Sequence, residues 1–119
     1  MKKELKIYDD KIKNVLNEVQ ARMLMLFGSK LKKIILFGSY ARNEADNESD
    51  IDILLLIDED KSNLKQYHDC IVDVVVELSI KYKVVLSILE QEYQKYNKYM
   101  EFIPFYTNVE NEGIELYAR

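Results

Sequence analysis

The most constraining feature of the sequence is an uninterrupted apolar run, Ile53-Leu54-Leu55-Leu56-Ile57, just after an acidic stretch that contains Asp50 and Asp52. Successive side chains of a strand point to opposite faces of its sheet, so a strand without polar alternation is buried on both faces. Burial on both faces requires helices that cover the sheet. The run therefore predicts a central strand over residues 51–57 in an α/β fold.

The remaining elements follow from hydrophobic periodicity. Apolar residues at helical spacing predict a first helix over residues 8–27, capped by Gly28, and another along residues 64–82. Short β-branched runs predict strands over residues 34–37 and 83–89. We expect a short helix and a loop over residues 39–48, a charged helix over 90–100, and a final helix that ends near Gly113. The segment 114–117 is expected to lie back on the body.

Composition limits the classes of function. The 119 residues include 17 Lys and Arg against 21 Asp and Glu, a net charge of −4 that argues against generic binding to nucleic acid or to an anionic membrane. The lone cysteine, Cys70, cannot form an intrachain disulfide, and we expect it to be a buried small hydrophobe. No export signal and no apolar run of the ~18 residues that span a bilayer is evident. We therefore predict a cytoplasmic location.

One spacing indicates chemistry. Gly38-Ser39 follows the first predicted strand, and Asp50-Ile51-Asp52 opens the next after ten intervening residues. Residues two apart on a strand share a face, so the carboxylates of Asp50 and Asp52 should lie side by side and repel each other unless a cation lies between them. Mg²⁺ prefers carboxylate oxygens together with water and substrate phosphates. The two aspartates are thus the predicted metal ligands and catalytic residues.

Gly38 and Ser39 are predicted to bind the phosphates of a nucleotide. Without a Cβ, Gly38 allows phosphate oxygens to approach the backbone, and amides that open a following helix would bind those anions together with the Ser39 hydroxyl. Arg42, one helical turn after Ser39, is a candidate auxiliary cation. Ser49 is a candidate nucleotide contact, with a structural role as a loop-to-strand cap as the alternative.

The blocks Leu36-Phe37-Gly38-Ser39-Tyr40-Ala41-Arg42 and Ser49-Asp50-Ile51-Asp52-Ile53 resemble the minimal nucleotidyltransferases of the polymerase beta-like superfamily. The resemblance covers roughly residues 30–119. It implies one nucleotidyltransferase domain over residues 1–119, built on a small mixed sheet backed by the first helix and the helix over residues 64–82, with the site on the open face. It also implies Mg²⁺ as cofactor and ATP or another nucleoside triphosphate as substrate.

The resemblance further implies a partner. Minimal nucleotidyltransferases are commonly the antitoxin of a pair whose toxin is a helical HEPN ribonuclease, and some transfer AMP to a tyrosine of that toxin. The sequence departs from the family at the third carboxylate, which active members usually place on a later strand beside the first pair. Here that strand carries Ser87, with Glu90 at its end on the opposite parity.

The leading hypothesis is therefore a Mg²⁺-dependent nucleotidyltransferase, a type VII-like antitoxin that transfers AMP to a hydroxyl of its toxin. Two alternatives stay open. One is a catalytically inactive antitoxin that neutralises its partner by binding alone, which the serine at position 87 favours. The other is a transferase that modifies a small molecule of the aminoglycoside class.

Overall fold

The computed structural model describes residues 9–46 and 49–119. Among these residues, the chain forms five α-helices and four strands, and helices stand between the strands except at β1 and β2, which follow each other directly. The elements are α1 (Asp10–Phe27), β1 (Leu31–Phe37), β2 (Ile51–Ile57), α2 (Lys61–Lys65), α3 (His68–Tyr82), β3 (Leu86–Glu92), α4 (Tyr93–Tyr99), α5 (Pro104–Glu112) and β4 (Ile114–Ala118).

The four strands form one mixed sheet in the order β3-β2-β1-β4. β1 pairs antiparallel with both β2 and β4, whereas β2 pairs parallel with β3. β1 and β2 are therefore the central strands, and the fully apolar part of β2 is buried as predicted. The predicted small mixed sheet is confirmed.

Helices pack on both faces of the sheet. Ile53 and Leu55 of β2 belong to one core cluster, which they share with apolar residues of α1 and α3. Their neighbours Leu54 and Leu56 point to the opposite face and pack with Tyr96 of α4 and with α5. The second face, predicted to be open, is thus partly covered by α4 and α5, because the two C-terminal helices carry aromatic residues that bury themselves against β2.

The ends of α1 are fixed by local chemistry. The Asp9 carboxylate accepts a hydrogen bond from the Lys11 amide at the N-cap, and Gly28 at the C-cap adopts φ +57°, where glycine is favoured. The prediction of this helix and of its cap is confirmed within the described residues, although the predicted first residue, Tyr8, lies outside them. Along its length, Glu18 accepts hydrogen bonds from Lys81 and Tyr82 and so links α1 to α3.

Several local predictions are wrong. The helix over 64–82 is divided into α2 and α3, because the chain turns at residues 66–67 and α2 has its own N-cap, Asp60. Residues 39–43 form turns rather than a helix, since Asn43 adopts φ +60° and ends the helical path. By contrast, the segment 114–117 lies back on the body as expected, and it does so as part of a strand, β4, which hydrogen-bonds to the outer edge of β1.

Cys70 is exposed rather than buried, because it lies on α3 away from the residues that face the sheet. Among the described residues, none of the helices is both long enough and apolar enough to cross a membrane.

Candidate active site

The site is built where β1 ends beside the start of β2. Phe37, the last residue of β1, is in register with Asp52, so Gly38 follows directly next to the aspartate. Gly38 adopts φ +76°, and a Cβ built on it would lie 2.5 Å from Oδ2 of Asp52. Position 38 therefore needs glycine for two independent reasons: the positive φ and the close approach of the carboxylate.

The Asp52 carboxyl lies on the face that β2 shares with Leu54 and Leu56, as strand alternation requires. It is partly buried, whereas Asp50 is exposed. Burial raises the pKa of Asp52, the nearby charge of Asp50 raises it further, and Arg42 opposes the shift. The charge of Asp50 therefore acts on Asp52. Asp50 precedes the first residue of β2, so the side-by-side placement of the two carboxylates on one strand face stays a prediction.

The residues after Gly38 form a single turn. The Arg42 amide donates to the Gly38 carbonyl at 3.1 Å, and the Glu44 amide donates to the Ser39 carbonyl at 2.9 Å. Ser39 is half-buried at the start of this turn, immediately after Gly38. Because no helix follows, the anion-binding helix start that the sequence predicted here is absent from the described residues, and phosphate binding would depend on the amides of the turn and the Ser39 hydroxyl.

Arg42 is held by carboxylates. Its Nε lies 3.0 Å from Oε1 of Glu44, and its Nη1 lies 3.7 Å from Oε2 of Glu112 at the end of α5. The guanidinium is partly exposed and close enough to Asp52 to lower its pKa. The predicted auxiliary cation is therefore near the aspartates, but an anion would have to compete with two glutamates for it.

Ser49 has a structural partner. The Ser49 hydroxyl accepts a hydrogen bond from the Asp46 amide at 3.0 Å, and the Ser49 amide donates to the Asp46 carbonyl at 3.2 Å. The residue thus closes the loop before β2, which is the capping role that the sequence offered as the alternative. A cavity of about 330 Å³ lies beside it and is lined by Ser49, Tyr40 and Val85, among others. Nucleotide contact by Ser49 stays a prediction.

The register of β3 identifies the position of the missing third carboxylate. Ser87 is in register with Asp52 on the neighbouring parallel strand, and its side chain is exposed on the same face. Glu90 is in register with Leu55, so it lies on the opposite face, where Nδ1 of His68 is 2.9 Å from its Oε1. Glu90 therefore cannot serve as the third acid beside Asp52.

The donor set fits a hard divalent cation. Asp50 and Asp52 offer carboxylate oxygens, and burial together with the charge of Asp50 raises the pKa of Asp52. No group of three His, Cys, Asp or Glu side chains that could hold a metal ion occurs among residues 9–46 and 49–119. Two carboxylates suit Mg²⁺, which usually takes its other ligands from water and substrate phosphates.

Comparison with known proteins assigns the family. The family model of the nucleotidyltransferase domain matches residues 12–112. The chain belongs to the nucleotidyltransferase domain family. The match includes both halves of the site, since Gly38 and Asp52 lie within it.

Similar nucleotidyltransferases occur in archaea. The chain is 37% identical over 106 residues to "Putative protein adenylyltransferase MJ0604" of Methanocaldococcus jannaschii, a match that covers 89% of this chain and 94% of the relative. It is 31% identical over 91 residues to the protein adenylyltransferase MntA of Thermococcus cleftensis, covering 69% of this chain and 90% of the relative.

A solved structure of tri-AMPylated Shewanella oneidensis HEPN toxin in complex with MNT antitoxin shares the fold. Its TM-score is 0.52 at 18% sequence identity, and the match covers 90% of this chain and 72% of that chain. The resemblance that the two sequence blocks indicated is thereby confirmed for the family and for the fold.

Sequence reasoning missed one residue that shapes the site, Glu112. Its contact with Arg42 depends on how α5 packs, and nothing in the local sequence of either residue indicates it.

Proposed function

We propose that the protein is an ATP-dependent protein adenylyltransferase that acts as an antitoxin on a HEPN-type toxin. The observation that carries the proposal is the approach of Asp52 to Gly38, with Asp50 alongside. This arrangement brings a turn that begins with glycine, which has no side chain, next to a pair of acids. Binding of phosphate and of a metal ion at one place requires such an arrangement. The relatives named as protein adenylyltransferases support AMP as the transferred group.

The proposed reaction joins an acceptor hydroxyl to AMP. The hydroxyl oxygen forms a bond to the α-phosphorus of ATP, the bond from that phosphorus to the bridging oxygen breaks, and pyrophosphate leaves. The hydroxyl proton passes to water, and the position of β3 in register with Asp52 carries Ser87 and not a carboxylate that could accept it. The proposed acceptor is a tyrosine of the toxin.

Each residue has a proposed role. Asp50 and Asp52 hold Mg²⁺, which when bound supplies positive charge to the α-phosphate and to the leaving pyrophosphate. Gly38 and Ser39 contact the triphosphate, and Ser49 contacts the nucleotide. Arg42 contributes positive charge once it is released from Glu44 and Glu112. A single domain over residues 1–119 and a cytoplasmic location complete the proposal.

Incubation with α-³²P-labelled ATP, Mg²⁺ and the product of the adjacent gene, the proposed toxin, tests the function. We expect the label on that protein, its position on tyrosine by mass spectrometry, and loss of labelling with Asp52→Asn. Absence of label with the unaltered protein contradicts the proposal.

A second candidate function is neutralisation by binding alone. The exposed Ser87 beside Asp52 favours it, because a hydroxyl is a weak metal ligand and a poor base at neutral pH. In that case the unaltered protein and Asp52→Asn would bind and inhibit the toxin equally, without any label transfer.

A further inference from the structure

We infer that the exposed side chains of Val85, Ser87 and Leu89, here named the acceptor row, form the surface on which the acceptor segment of the partner protein docks. The inference rests on the proposed function and adds the place where the second substrate binds. It begins from the register of β3, which puts Ser87 next to Asp52. An acceptor hydroxyl must come close to that aspartate, so whatever covers Ser87 is adjacent to the reaction.

The acceptor row consists of two aliphatic residues and a serine, all exposed to solvent. Val85 is 58% exposed and Leu89 is 39% exposed, whereas Leu54, in register with Leu89 on β2, is fully buried beneath α4 and α5. β3 lies at the end of the strand order, and among the described residues no further strand pairs with its outer edge. Leu89 on the site face of β3, and Val85 just before β3, therefore present aliphatic side chains to solvent on either side of Ser87 in the sequence.

The lack of charge on the acceptor row indicates which substrate it suits. Val85, Ser87 and Leu89 are all uncharged, although 32% of the residues in the chain are charged. On the opposite face of β3, Leu86 and Ile88 pack in the core, and the charged residues Glu90 and Glu92 follow them. A triphosphate gains nothing from uncharged aliphatic side chains, whereas an aromatic acceptor and its apolar neighbours do. The row thus fits the acceptor better than the charged part of ATP.

The dimensions of the acceptor row agree with this assignment. Alternate residues of a strand are about 6.6 Å apart, so Ser87 and Leu89 are separated by about that distance on β3. That spacing accommodates one tyrosine ring above Ser87 and an apolar neighbour above Leu89, and Val85 precedes the strand. The small hydroxyl side chain of Ser87 leaves room for the ring, and the free edge of β3 offers backbone groups to a segment laid alongside.

The test compares Leu89→Glu with Met25→Glu. Met25 is 85% exposed on α1, so the control introduces the same charge on an exposed apolar residue of another element. Labelling of the proposed toxin, the product of the adjacent gene, by α-³²P-ATP is measured over a range of acceptor concentrations. Binding of the fluorescent analogue MANT-ATP with Mg²⁺ is measured in parallel, and circular dichroism establishes that each variant is folded.

We expect Leu89→Glu to lower kcat/KM for the acceptor at least tenfold, mainly through KM, with MANT-ATP affinity changed less than twofold. Leu89→Met should keep most of the activity, and Met25→Glu should match the unaltered protein. Wild-type labelling rates in folded Leu89→Glu would overturn the inference alone. A parallel loss of MANT-ATP binding would also overturn it and assign the row to the nucleobase. No labelling by the unaltered protein would contradict the proposed function itself.

Discussion

Gly38 lies so close to Asp52 that a Cβ at position 38 would be 2.5 Å from Oδ2 of the carboxylate. The strand register brings them together, since Phe37 pairs with Asp52. The glycine therefore both accommodates the acid and leaves the adjoining turn accessible to phosphate.

Gly38→Ala is expected to destabilise the fold and abolish metal binding. The alanine Cβ would meet the Asp52 carboxylate at 2.5 Å, and the positive φ adds strain of about 1–2 kcal/mol. Gly28→Ala is the matched control, because Gly28 also has a positive φ but a Cβ at that position would have nothing within 4 Å. Urea unfolding and Mn²⁺ titration should show a larger loss for Gly38→Ala, and equal losses would contradict the contact.

Asp52→Asn is expected to abolish transfer while stabilising the metal-free fold. Burial and the charge of Asp50 raise the pKa of Asp52, so ionisation at neutral pH costs folding free energy that the amide does not incur. Transfer should fall about 100-fold or more, since a predicted metal ligand is removed. Thermal unfolding with and without Mg²⁺ measures both effects. A metal-dependent increase in Tm that persists in the variant would argue against Asp52 as a ligand.

Ser87→Asp should strengthen metal binding. The new carboxylate would lie in register with Asp52 on the same face, which adds a third oxygen ligand to the pair. We expect Mn²⁺ affinity to rise about tenfold. Electron paramagnetic resonance titration gives affinity and stoichiometry together. Ile88→Asp is unsuitable as a control because Ile88 packs against the core, so Ser87→Asn, which matches the size without the charge, serves instead.

The pKa of His68 should lie above the usual value for histidine. Its hydrogen bond to Glu90, followed by the charge of that carboxylate, raises the His68 pKa above 6.5. A pKa raised in the folded state means that the stabilisation is complete below about pH 6.5 and is lost as the pH rises through the folded value. Proton NMR of the imidazole should show the raised pKa, and Glu90→Gln should return it towards 6.5. An unchanged midpoint in that variant would contradict the pairing.

Tyr96→Phe should destabilise the core cluster that Leu54 and Leu56 form with α4 and α5, without affecting the candidate active site. Tyr96 is 1% exposed, and its hydroxyl donates to Oε2 of Glu110 at 2.9 Å. Burial, followed by this hydrogen bond, strongly raises the Tyr96 pKa, so the phenol stays protonated. We expect a loss of about 1 kcal/mol in unfolding free energy. Tyr99→Phe, at an exposed position of α4, should be nearly neutral, and a similar loss there would contradict the assignment.

The sequence predicts best where one pattern decides the outcome. The apolar run of β2 indicates a buried central strand, and the spacing of Gly38 and Asp52 indicates a shared site. Both inferences rest on patterns that lie within one short stretch of the chain. β4 was missed because its short segment becomes a strand only through pairing with β1. The contact of Arg42 with Glu112, and the covering of the second face by α4 and α5, likewise depend on contacts between distant segments.

The strand order has a consequence for how the molecule moves. β1 and β2, which lead to Gly38 and carry Asp52, each have a hydrogen-bonded strand on both sides. Deuterium should therefore replace the amide protons of these two strands last, after those of the outer strands and the turn over 39–43. Substrates would meet reacting groups that are already rigidly placed, and any adjustment during turnover should come from the periphery.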